Sequence, residues 1–158
     1  MSKQTFRMDY EEFANPEDMS QEQRALILAA RDSTKDAYAP YSAFNVGAAV
    51  LLENGKIIKG SNQENAAYPS GLCAERVALF YAGAEYPDVK VKAIAIAAMH
   101  EGKFLEEPVS PCGGCRQVLH ETEVRHHRSI EIILYGSQKI WVVRQGSDLL
   151  PLPFTLDL

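Results

Sequence analysis

From Ser20 onward, apolar positions at helical spacing alternate with short β-branched runs. Ser20 is a good helix N-cap, and Gln23 three residues later completes a capping-box pattern. Leu26, Ile27, Ala30 and Ala37 follow near helical spacing, which predicts a helix to about Tyr38, ended by Pro40. Two strand-like runs come next, Asn45–Leu52 and Lys56–Gly60. Between them lies Asn54-Gly55, a pair that favours a two-residue type I′ hairpin turn. A polar loop over 61–72 leads to a second helix, expected from Cys73 to about Ala84. Val89–Met99 reads as a buried strand, and His100–Pro111 as a polar loop. A third helix begins at Cys112 and continues through Gln117 and His120. Ile130–Tyr135 and Lys139–Val143 are the last strands, and Ser147 can cap a short turn before Pro151.

Helices therefore alternate with strands after the opening hairpin. That order implies an α/β domain over residues 20–158, a three-layer α/β/α arrangement whose mixed sheet has about five strands. Residues 1–19 read as an N-terminal extension, partly ordered by Phe6, Tyr10 and Phe13.

Composition narrows the function. A chain of 158 residues, 46% hydrophobic and 23% charged, resembles an ordinary globular protein with a sizeable core. No apolar run approaches the roughly 20 residues that span a bilayer. The polar, acidic first segment has no apolar signal core, so a cytoplasmic location is expected and membrane association is not. The net charge of −5 argues against a surface built for a phosphate backbone and points to small substrates rather than nucleic acid. The three cysteines are an odd number, which suits metal or redox chemistry better than a disulfide framework.

All three thiols fall at predicted helix starts. Cys73 opens one helix and Cys112 another, with Cys115 one turn on. Positions i and i+3 share a helix face, so Cys112 and Cys115 can converge on one ion. Helix N-termini favour the thiolate form that binds metal. Three protein ligands leave one position of a tetrahedral zinc site open for a water. Glu75, two residues after Cys73, can reach such a water and pass its proton onward. Three thiolates outweigh the charge of one Zn²⁺, and Arg76 is a candidate donor to the sulfurs, although it also fits an exposed helix arginine. Pro111 stiffens the approach to Cys112, and Gly113 and Gly114 would relieve a crowded turn. Alone, Cys112-Gly-Gly-Cys115 could equally be redox-active or a structural zinc knuckle. Preceded by Cys73-Ala-Glu75 and by Pro111, it matches the signature of zinc-dependent nucleobase deaminases.

The chain then resembles one family in particular, the small homotetrameric cytidine deaminases. The matching segments are Pro40-Tyr-Ser-Ala-Phe-Asn-Val-Gly-Ala-Ala49, Gly60-Ser-Asn-Gln-Glu-Asn-Ala-Ala-Tyr68, Cys73-Ala-Glu-Arg76 and Pro111-Cys-Gly-Gly-Cys-Arg-Gln117, with a weaker match at Leu149-Leu-Pro-Leu-Pro-Phe154. The resemblance implies hydrolytic deamination of cytidine and deoxycytidine in pyrimidine salvage, with one zinc ion per subunit. It implies that Phe44 stacks on the pyrimidine and that Asn62 and Glu64 bond the ribose 3′-hydroxyl. Backbone groups of Ala66 and Cys73, with the Glu75 carboxylate, would read the pyrimidine edge. Tyr68 and Phe154 would serve active sites shared between the subunits of a homotetramer. Phe44 also fits a core position, Asn62 a turn, and Phe154 a pin for the chain end.

The chain departs from the family pattern at Asn45, Gln63 and Gly114, none a catalytic position. The 104–108 loop and the His126-His127 pair are also less typical, and the pair suits a solvated helix end better than a metal site. Other readings are a deaminase of another substrate, a closed zinc module with His100 or His120 as fourth ligand, and a redox C-x-x-C.

Overall fold

The computed structural model describes residues 1–156; Asp157 and Leu158, the end of the expected domain, lie outside the described residues. One sheet organises the chain. Its strands are β1 (Glu11–Phe13), β2 (Phe44–Leu52), β3 (Ile57–Ser61), β4 (Val91–His100), β5 (Lys103–Phe104), β6 (Glu131–Tyr135) and β7 (Ile140–Val143). The order is β1-β7-β6-β4-β2-β3, with β5 on the end of β4. Only β4 and β6 run parallel, so the sheet is mixed.

The central strands are apolar on both faces, and each face has its own core. Ala48, Val50 and Leu52 of β2, with Ile94, Ile96, Ile132 and Leu134, pack under helices α2 (Ala74–Glu85) and α3 (Gly113–His126). The alternate residues, Ala49, Leu51, Ala93, Ala95 and Ile133, pack under α1 (Gln21–Ser33) through Leu26, Ile27 and Ala30. Two-sided burial explains why these strands read as continuous apolar runs rather than as alternation. The three-layer α/β/α arrangement stands.

The sheet has seven strands rather than about five. The two extra strands come from segments read as an extension and a loop. Glu11–Phe13 pairs with Trp141 and its neighbours along β7. Glu12 accepts a hydrogen bond from the Trp141 indole (2.8 Å), Arg144 donates to Glu11 (2.7 Å), and Tyr10 packs on Trp141 with ring centroids 5.3 Å apart. Each of those contacts links residues more than a hundred positions apart, so no local pattern announces them. At β5 the Arg31 guanidinium lies 4.9 Å from the ring centroids of both Phe104 and Tyr135, which ties the 104–108 loop to the α1 face.

Local details also differ. The Ser20–Gln23 capping box forms in both directions. The helix, however, ends at Ser33 and tightens into a 3-10 turn over Thr34–Asp36 instead of reaching Tyr38. The Ser33 hydroxyl bonds the carbonyls of Ala30 and Ala48, and Thr34 bonds that of Arg31, so side chains compete for the backbone there. The hairpin turn is not type I′. The Leu52 carbonyl accepts from the Gly55 N–H and only Gly55 has positive φ (83°), which makes a three-residue loop with glycine in the left-handed position. Ser147 does not cap the last turn. The buried Glu123 carboxylate does that work, accepting from the N–H groups of Ile130, Gly146 and Ser147 at 2.7–2.9 Å.

One glycine sets how closely α2 sits on the sheet. A Cβ on Gly60 would lie 2.6 Å from both the Ala74 carbonyl and the Ala78 nitrogen. These are backbone atoms, so no rotamer change relieves the clash. Gly60→Ala is expected to push α2 outward and lower Tm by about 10 °C. Thermal unfolding measured by circular dichroism checks this, and an unchanged Tm would refute it.

Candidate active site

The N-terminal ends of α2 and α3 meet over the sheet. Cys73 and Cys112 are the N-cap residues of these helices, and Cys115 sits one turn into α3. The thiols converge: Cys73 Sγ lies 3.7 Å from Cys112 Sγ, which lies 3.5 Å from Cys115 Sγ. All three sulfurs fall within 4.8 Å of one another, and among the described residues they form the sole such cluster of potential ligands. A tetrahedral centre with metal–sulfur distances of about 2.3 Å needs its sulfurs about 3.8 Å apart, and the Cys73–Cys112 and Cys112–Cys115 separations suit zinc. Neither His100 nor His120 joins the cluster, which leaves a fourth position free of protein ligands. His126 ends α3 and His127 takes the left-handed C-cap, and neither belongs to a ligand cluster among the described residues.

The electrostatics agree with a cation site. Cys73 is held down to about 5, chiefly by a hydrogen bond from the Cys115 thiol and then by the Arg76 guanidinium, whose Nη2 is 3.6 Å from Cys73 Sγ. Cys115 is pushed strongly upward by the Cys73 sulfur beside it and by burial. A cation between Cys73 and Cys115 would offset the repulsion that sets these two thiols apart. Arg76 points at the cluster rather than into solvent.

Beside the cluster opens a cavity of about 650 Å³. Its lining includes Cys73, Cys112, Glu75 and Arg76 together with Phe44, Val46, Ile96, Asn62, Glu64 and Tyr68. Glu75 is only 4% exposed, and burial, followed by the charge on Cys73, raises its carboxyl above the ordinary range. Glu64 is the opposite case. The Ser42 hydroxyl and the Tyr41 N–H bond its carboxylate and lower its pKa. The two carboxylates of one cavity are thus shifted in opposite directions, Glu75 upward and Glu64 downward.

Not every residue singled out in the sequence reaches this cavity. Ala66 is exposed on the loop after β3 and is not part of the lining. Phe154 is 69% exposed and outside the lining; its main chain is clamped by Gln117, which accepts from its N–H (3.3 Å) and donates to its carbonyl (2.8 Å). Tyr68 lines the cavity yet remains 78% exposed, edge-on to Tyr41 at 6.3 Å. Gly113 and Gly114 stand in open space rather than in a crowded turn. Val109 and Ser110 also line the cavity and carry no motif signal, while Ser42 and Arg116 lie inside the matching segments with no role implied for them. Arg116 donates to the carbonyls of Pro111 (2.8 Å) and Leu149 (2.9 Å), fixing the approach to Cys112.

Comparison with known proteins agrees with this geometry. Residues 19–128 match the family model described as the cytidine and deoxycytidylate deaminase zinc-binding region. The chain is 45% identical over 100 residues to a cytidine deaminase of Halalkalibacterium halodurans, covering 63% of this chain and 71% of that protein. It is 48% identical over 96 residues to one from Sporosarcina psychrophila, covering 61% and 66% respectively. The crystal structure of cytidine deaminase from Burkholderia pseudomallei is similar with a TM-score of 0.72 at 40% identity, over 86% of this chain and all of that one. A cysteine cluster at two helix ends, on this sheet and in this sequence order, places the chain in the cytidine deaminase family of zinc-binding hydrolytic deaminases.

Proposed function

We propose that this protein hydrolyses cytidine and 2′-deoxycytidine to uridine and 2′-deoxyuridine plus ammonia, a pyrimidine salvage step. The observation that carries this reading is the single cavity that joins buried Glu75 and the thiol cluster to Phe44, Asn62 and Glu64. Phe44 offers a flat apolar face for the base. Asn62 and Glu64 can hold a neutral sugar hydroxyl, and the 3′-hydroxyl is common to ribose and deoxyribose. No lysine lines the cavity, and its one arginine is turned to Cys73, so a nucleoside suits it better than a nucleotide.

Cys73, Cys112 and Cys115 would hold one zinc ion per subunit, which when bound supplies a Lewis acid that lowers the pKa of a water towards about 7. Glu75 takes the proton of the water whose oxygen adds to C4 of the pyrimidine, and delivers it to N3. It then carries the remaining proton of that water, from the new hydroxyl on C4, to the amino nitrogen. The C4–N bond breaks and ammonia leaves. Arg76 offsets the surplus negative charge of the thiolates. Ala66, together with the Cys73 backbone, would read the base edge once substrate draws the 65–67 stretch inward. Tyr68 and Phe154 expose large aromatic faces, which supports a homotetramer in which they complete neighbouring sites. Neither nucleic acid nor membrane is a partner in this reading, and the protein works in the cytoplasm.

The test is loss of ultraviolet absorbance on mixing with candidate substrates. Cytidine and deoxycytidine should be turned over, while cytosine, CMP and a single-stranded oligonucleotide should have kcat/KM lower by about a hundredfold or more. A chelator should abolish turnover. Comparable activity on CMP or the oligonucleotide would overturn the substrate assignment.

A further inference from the structure

The segment that presents Phe44 has little packing to hold it. Tyr41 and Ser42 are exposed, and Ala43 adopts a left-handed backbone (φ 53°), unusual for a residue other than glycine. Such a conformation costs free energy and persists only where its surroundings over-determine it. Among the described residues, the Phe44 ring makes one aromatic contact, a tilted approach to His100 at 6.4 Å. Hydrogen bonds must therefore decide where the ring stands.

Those bonds run through one hydroxyl. Ser42 Oγ donates to Glu64 Oε1 and accepts from the Phe44 N–H at 3.1 Å. Glu64 Oε2 accepts from the N–H groups of Tyr41 (2.9 Å) and Ser42 (3.3 Å). On the far side of Phe44, Asn62 donates to the Phe44 carbonyl and accepts from the Val46 N–H, both at 2.8 Å. The two side chains read above as sugar-binding thus also frame both peptide groups of the base-stacking residue.

We propose that Ser42 is a positioning residue for nucleoside binding, coupling the Glu64 carboxylate to the backbone of Phe44 so that the sugar-bonding and base-stacking groups are set as one unit. The inference rests on the nucleoside reading above. Ser42 needs no contact with substrate. Its hydroxyl fixes one Glu64 oxygen and braces the left-handed Ala43 turn that leads to the ring. Without it, Glu64 loses the only side-chain donor it has among the described residues, and Phe44 loses the acceptor of its N–H.

Steady-state kinetics of the full-length, zinc-loaded protein on cytidine test this. Ser42→Ala should raise KM about tenfold, the scale of a lost hydrogen bond to a charged group, with kcat within about twofold of wild type. Ser42→Thr, which keeps the hydroxyl on an exposed site, should restore KM to within about threefold of wild type. In a Glu64→Ala background the same Ser42→Ala change should have almost no further effect, because the partner is gone. Tm and zinc content should stay unchanged in Ser42→Ala, which separates positioning from general destabilisation. An unchanged KM in Ser42→Ala would overturn the proposal, as would an equal penalty in the Glu64→Ala background or a fall in kcat alone. Wild-type protein that does not turn over cytidine would instead refute the nucleoside reading itself.

Discussion

Glu75→Gln is expected to retain its zinc and lose turnover by at least about a thousandfold, within the range that a positioned proton-transfer group supplies. Glutamine has the same shape and can still accept one hydrogen bond, so the cavity wall should survive the change. An amide cannot take a proton from water and hand it to the base. No second carboxylate can substitute. Glu64 also lines the cavity, but its carboxylate is committed to Ser42 and to the backbone of the 41–42 turn. Burial keeps Glu75 ready to hold a proton, as the raised pKa of its carboxyl reflects. Zinc analysis beside kcat separates lost chemistry from a lost metal. Activity within tenfold of wild type would remove Glu75 from the mechanism.

Cys115→Ser should have the second largest effect, and a different one. Cys115 is fully buried, while Cys112 is exposed, so the 115 position anchors the donor set from inside. A hydroxyl in its place is a poor zinc ligand at neutral pH. The variant should copurify with little zinc and keep less than about 1% of wild-type kcat. It should also lose the stabilisation that a tightly bound ion confers on the folded state, about 4 kcal/mol where free zinc exceeds Kd a thousandfold. A chelator should therefore lower the Tm of wild-type protein and leave that of Cys115→Ser nearly unchanged. The same sulfurs make zinc loading pH-dependent. The Cys115 thiol is pushed upward when no cation is present, so binding must displace its proton. Zinc affinity should rise with pH, and proton release on titration with zinc would measure it. Full zinc occupancy in Cys115→Ser would contradict the assignment.

Much of this was legible in residues that lie close together in the chain. Cys112 and Cys115 share a helix face by spacing alone, and Glu75 lies two positions from Cys73. The Ser20–Gln23 box needs three residues. The long runs of β2 and β4 show two-sided burial without reference to any partner. The legible part of the substrate cavity was less physical. Phe44, Asn62 and Glu64 were singled out by resemblance, since a phenylalanine near a strand start and an asparagine in a loop have several ordinary uses.

What escaped the sequence is long-range. The extension looked like a tail because nothing within Glu11–Phe13 shows that β7 offers it an open edge. The Asn54-Gly55 pair pointed to the wrong turn because the backbone bond from Gly55 to Leu52, not the dipeptide, sets the loop length. Nor does any local pattern show that Gln117 holds the main chain of Phe154, thirty-seven residues away, through two hydrogen bonds.

By itself, then, the sequence determined which three thiols stand at helix ends and which strands beneath are apolar on both faces, since each depends on spacings of a few residues and on side-chain chemistry. The tertiary structure alone decided that Cys73, nearly forty residues from Cys112, lies 3.7 Å from it. It alone decided that Ser42 holds Glu64 and Phe44 together and that the first strand of the sheet is the eleventh to thirteenth residues of the chain. Those outcomes depend on how two helix ends and a sheet edge pack in three dimensions. No local pattern encodes that, because closing each contact requires ordering every residue between its partners.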